Sequence, residues 1–127
     1  MTAGSDPADL ISLAEKFLDG TVPVPGGRAA RAAAVVSRQA LEQVVAGRCD
    51  ELVSGLQRPS MRSQLILLRE IGDCEIGRKA QIAWDGLSRA CHHHAYELQP
   101  TVDEVRGLAN LVRQIALAGS EVDRPTA

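Results

Sequence analysis

Pro100-Thr101-Val102-Asp103-Glu104-Val105-Arg106-Gly107-Leu108-Ala109-Asn110-Leu111-Val112 carries the clearest helix start in the 127-residue chain. Thr101 and Glu104 form a T-x-x-E capping box, in which the threonine hydroxyl accepts from the amide three residues on and the glutamate reaches back. Val105, Leu108, Val112 and Ile115 then recur at helical spacing and predict one inward face, with Gly119 as its stop.

The same period governs the chain upstream. Asp6 before Pro7 is a cap-then-proline start, and Leu10, Ile11, Ala14, Phe17 and Leu18 form a stripe that Gly20 closes. Thr21 to Gly27 holds two prolines and two glycines and reads as a loop. A second helix is expected over roughly 28–57, with Ala33, Val36, Ala40, Leu41, Val44, Leu52 and Leu56 inward and Gly47 as a weak point. Pro59 and Ser60 start a third helix through Leu65, Leu68 and Ile71. Gly72 and Asp73 punctuate the chain, and a fourth helix runs from about Glu75 to the histidines, on Ile76, Ala80, Ala83, Trp84, Leu87 and Cys91. No segment alternates with period two. The expectation is an all-α antiparallel bundle of four to five helices, one domain over 1–127, with 1–5 and 120–127 as loose tails.

Composition bounds the function. The chain is 45% hydrophobic but has three aromatics, Phe17, Trp84 and Tyr96. That favours close-packed helices and argues against a base-stacking platform of the kind single-strand binders use. A net charge of −2 gives no global attraction to nucleic acid. Residues 26–69 nevertheless hold seven arginines against three acids, a local +4 with −3 on each flank, which allows a basic face on the second helix. Cys49, Cys74 and Cys91 share no short spacing, so no disulfide framework is visible. The N-terminus shows no export signal and no apolar run is long enough to span a membrane, which points to a cytoplasmic, reduced chain.

Chemistry concentrates in Arg89-Ala90-Cys91-His92-His93-His94-Ala95-Tyr96, which holds every histidine in the chain. On a helix continuing to His94, Arg89 precedes His92 and His93 by one turn, and Asp85, four residues before Arg89, is placed to orient its guanidinium. A guanidinium offers phosphate a planar, permanently charged fork, and an imidazole can give or take a proton near neutral pH. RNA supplies its own nucleophile, the ribose 2′-hydroxyl, so one base and one charge clamp could cleave it without metal or cofactor.

Arg89-x4-His94-x-Tyr96 resembles the R-x4-H-x-Y motif of HEPN domains, small helical bundles named for higher eukaryotes and prokaryotes nucleotide-binding. The resemblance covers the motif, the helix order and the capped last helix, not the chain residue by residue. It implies a homodimer with two motifs facing each other, and in many members a metal-independent ribonuclease. Other members are non-catalytic, pair with an antitoxin, or pair with a nucleotidyltransferase that modifies the motif tyrosine. By that resemblance Arg89 contacts the scissile phosphate, His94 transfers the proton and Tyr96 supports the site or is modified, with Asp85, His92 and His93 alongside. One departure is visible: Ala90 stands where the family commonly has a polar residue.

Plainer readings stand beside this one. The histidines point in different directions around a helix and each can be a surface residue at the C-terminal dipole. The chain would then be a non-catalytic helical dimerisation or partner-binding module. Cys91 and His94 share a face at i+3 and with His92 or an acid from another helix could hold zinc, but no second ligand cluster supports that. Cys91 would have a lowered pKa if surrounded by histidine and arginine. Trp84 and Tyr96 read most simply as packing residues. Pro25-Gly26-Gly27-Arg28 could offer an anion a helix start, yet it has no Walker lysine and no preceding strand.

Overall fold

A computed structural model describes residues 6–55, 57, 59–92 and 99–122. The protein is an all-α bundle of five helices: α1 (Pro7–Asp19), α2 (Ala29–Leu52), α3 (Met61–Glu70), α4 (Cys74–Cys91) and α5 (Val102–Val122). A single 3₁₀ turn, Pro25–Gly27, precedes α2, and the described residues contain no strand.

The starts are set by the residues that the sequence nominates. Asp6 accepts from the Ala8 amide with Pro7 at the first helical position, and Gly20 closes α1 at φ 84°, a left-handed conformation glycine adopts without strain. Ser60 caps α3 through the Ser63 amide, and Asp73 caps α4 through the amides of Glu75 and Ile76. The capping box of α5 is closed in both directions: the Thr101 hydroxyl accepts from the Glu104 amide at 3.0 Å, and Glu104 accepts from the Thr101 amide and hydroxyl.

α2 is the central element and touches all four other helices. It can do so because its buried face is built of small residues, Ala30, Ala33, Ala34, Ser37 and Ala40, before Leu41, Val45 and Cys49. α1 lies along it, with its start against the second half of α2 and the end of α5. Two polar ties fix α5: Arg48 donates to the Ile115 carbonyl at 2.6 Å, and Arg113 pairs with Glu15 of α1 at 2.6 Å. α4 packs antiparallel to both α3 and α5, and glycines set both approaches. The Arg69 backbone and side-chain stem of α3 lie where a Cβ on Gly77 would be, and Leu108 of α5 lies where one on Gly86 would be.

Several expected boundaries shift. α2 ends at Leu52 rather than near 57, and Leu56 lies outside the described residues. Leu52 is exposed rather than buried, and Ile71, expected on the third helix's stripe, is the C-cap of α3 and 57% exposed. α5 passes through Gly119 to Val122, because a lone glycine costs a helix only about 1 kcal/mol and does not stop it. Residues 120–122 are therefore helical rather than part of a loose tail, while 1–5 and 123–127 lie outside the described residues. No described helix is long and apolar enough to cross a membrane.

Candidate functional site on the outer ridge of helix α4

α4 has two unlike faces. Ile76, Gly77, Ala80, Ala83, Leu87 and Ala90 are buried in the core, whereas Arg78, Ile82, Asp85 and Arg89 form an exposed outer ridge. The burial of Ala90 accounts for the small residue after Arg89: a polar side chain there would be desolvated against the core.

The helix ends sooner than the histidine run suggests. The His92 amide donates to the carbonyls of Ser88 and Arg89, but His92 itself is extended, at φ −71° and ψ 137°, and serves as the C-cap. Packing of an apolar stripe holds helices in water more than propensity does, and after Cys91 the stripe meets imidazoles. His92 therefore does not continue the helical register from Arg89 that a longer helix would impose. His93, His94 and Tyr96 lie outside the described residues.

Arg89 stands at the rim of a groove of about 640 Å³ between α4 and α5, lined by Ile82, Asp85, Gly86, Glu104 and Leu108 among others. The acids nearest in the groove are engaged elsewhere. Asp85 accepts from Gln81 Nε2 at 3.0 Å instead of orienting the Arg89 guanidinium, and Glu104 closes the α5 capping box. Among the described residues Arg89 forms no ion pair. The guanidinium is thus exposed at the turn where the R-x4-H-x-Y sequence begins.

The seam between α2 and α4 was less visible in the sequence. Arg38 stacks its guanidinium over the Trp84 ring at 4.3 Å from the centroid, so Trp84 is half-buried packing with a charged lid. Cys91 sits in the same seam. Burial pushes its thiol above the usual cysteine range, and the nearby Arg38 guanidinium, hydrogen-bonded to it, offsets only part of that. The expected activation of Cys91 is therefore reversed by desolvation. The spacing could have suggested this seam, since Trp84 and Cys91 on α4 and Arg31 and Arg38 on α2 each lie seven apart. The arginine excess of 26–69 does not form one face of α2 either: Arg48 ties α5, while Arg62 and Arg69 stand on α3.

No group of three His, Cys, Asp or Glu side chains suited to a metal ion occurs among the described residues. The zinc reading drawn from Cys91, His92 and His94 rests partly on a residue outside them. In comparisons with protein-family models, curated proteins and solved structures, nothing matches this chain.

Proposed function

We propose that this protein is a HEPN-like, metal-independent endoribonuclease that acts as a homodimer. The observation that carries the reading is Arg89: an exposed guanidinium with no ion pair among the described residues, lining a groove, at the start of the R-x4-H-x-Y sequence. A free guanidinium can grip a phosphate with paired N–H bonds and offset the charge that develops as the 2′-hydroxyl attacks. His94 is assigned proton transfer and Tyr96 support, with His92 and His93 beside them. An antitoxin or a nucleotidyltransferase that modifies Tyr96 would be the protein partner.

The test is cleavage of mixed-sequence RNA in excess EDTA by wild type, Arg89→Ala and His94→Ala, each matched for helicity and dimer state. The proposal expects cleavage by wild type and at least a hundredfold loss in both variants, the scale on which acid–base and charge-stabilising groups act. Equal cleavage by all three would assign the activity to a contaminant.

A second reading, a non-catalytic dimerisation or partner-binding module, is favoured by one observation. Ile82, on the groove wall beside Arg89, is 51% exposed, as is Ile66 on α3 to 50%. Absence of cleavage together with loss of dimerisation in Ile82→Glu would favour it.

A further inference from the structure

On the opposite side of the α4 ridge from the Arg89 groove lies a second groove, of about 410 Å³, lined by Arg62, Leu65, Ile66, Arg69, Gln81, Trp84 and Asp85. Asp85 borders both. Arg62 and Arg69 from α3 line the groove with Trp84, and Arg38 from α2, behind the lining, covers the Trp84 ring. None of the three forms an ion pair among the described residues, and the one carboxylate lining the groove, Asp85, is held by Gln81. Their stems are also constrained. The Arg69 side-chain stem runs over buried Gly77, and Arg38 lies flat on the indole and is hydrogen-bonded to Cys91.

Arginines held by packing with no acidic partner suit a ligand that brings several negative charges in a row. We infer that this α3–α4 groove binds the phosphate backbone of single-stranded RNA and leads the strand past Asp85 toward Arg89. The inference rests on the ribonuclease reading for the identity of its ligand. It assigns contact to phosphates rather than bases, since Arg38 already covers the Trp84 ring and no other aromatic among the described residues lines the groove. Binding is then indifferent to base sequence and dependent on salt. Two phosphate contacts at about −0.7 each give a log–log slope near −1.4, or about a sevenfold loss between 50 and 200 mM salt.

Trp84 is the sole tryptophan of the chain, so its fluorescence reports on this groove directly. The experiment titrates the full-length protein with a 2′-O-methyl RNA strand, which lacks the attacking hydroxyl, and measures cleavage of ordinary RNA separately. Wild type should bind with a change in Trp84 emission. Arg62→Ala/Arg69→Ala should bind about tenfold more weakly with a salt slope shallower by about 1.4, and KM for cleavage should rise in parallel. Arg62→Lys/Arg69→Lys, which keeps the charge, should recover most of the affinity, which separates the proposal from mere misfolding. Undiminished binding by the alanine double variant, or no binding by wild type, overturns the groove assignment. Cleavage dependent on Arg89 would still stand, so the two readings fail separately. Tighter binding of polyglutamate than of RNA at equal charge would assign the groove to an acidic protein and overturn it as an RNA surface.

Discussion

α2 and α4 are both long helices at the centre of the bundle, yet they solve opposite problems. α2 spends its length on small residues so that four other helices can approach, and its arginines are drawn into ties and stacks. α4 buries a narrow stripe and leaves a ridge with Arg89 and Ile82 exposed between two grooves. One helix supplies stability and the other, on the proposed reading, presents the chemistry. Damage to α2 should therefore appear in unfolding, and damage to the outer ridge of α4 in activity alone.

The sharpest contrast is Leu41→Ala. Leu41 is fully buried in α2, and its truncation should cost about 3 kcal/mol, seen as a lower urea midpoint at constant m-value. Arg89→Ala, on the ridge, should leave that midpoint unchanged within about 0.5 kcal/mol. Equal losses would erase the distinction between scaffold and ridge.

The inner face of α4 should still behave as core. Gly77→Ala places a Cβ 2.9 Å from the Arg69 backbone nitrogen, and the forced separation of α3 from α4 should cost about 2 kcal/mol by chemical denaturation. Asp73→Ala removes the acceptor for two amides at the start of α4 and should cost about 1 kcal/mol, read as a lower Tm. Gly47→Ala, exposed in α2 with open space around its Cβ, should instead stabilise by about 0.5–1 kcal/mol.

The smallest effect concerns pH. The Arg113 guanidinium hydrogen-bonded to Glu15 holds that carboxyl below its usual value of 4.5, so the folded state binds its proton less readily than the unfolded chain does. The stabilisation is then present above the unfolded value and lost as pH falls through the lower, folded one. Both side chains are more than a third exposed, and solvent screening limits the pair to about 0.5 kcal/mol. Glu15→Gln should therefore lower stability by about 0.5 kcal/mol at neutral pH and converge with wild type as pH falls below 4.5, which flattens the acid limb slightly.

What could be read from sequence follows the range of the forces involved. Caps act within four residues, so Asp6, Ser60, Asp73 and Thr101 mark their helix starts without knowledge of the fold. Apolar periodicity likewise located the α4 stripe and most of the α5 face. Ends were harder to read. Gly119 could not stop a helix still held by packing, and His92 did not extend one whose stripe had run out. Contacts between helices were largely invisible, because Arg38 on Trp84 and Arg69 over Gly77 depend on which helices become neighbours. The pairing of Asp85 was misjudged for a related reason: Arg89 and Gln81 both lie four residues away, and sequence spacing alone cannot rank them.

The most direct test of Arg89 as a phosphate-gripping residue is the chemistry of the RNA ends produced in excess EDTA. Attack by the 2′-hydroxyl forms its bond to phosphorus as the 5′-oxygen leaves, so wild type should yield 2′,3′-cyclic phosphate and 5′-hydroxyl ends, and Arg89→Ala, equally folded, should yield almost none. Products bearing 3′-hydroxyl and 5′-phosphate ends, or cyclic phosphate formed undiminished by Arg89→Ala, would contradict the account.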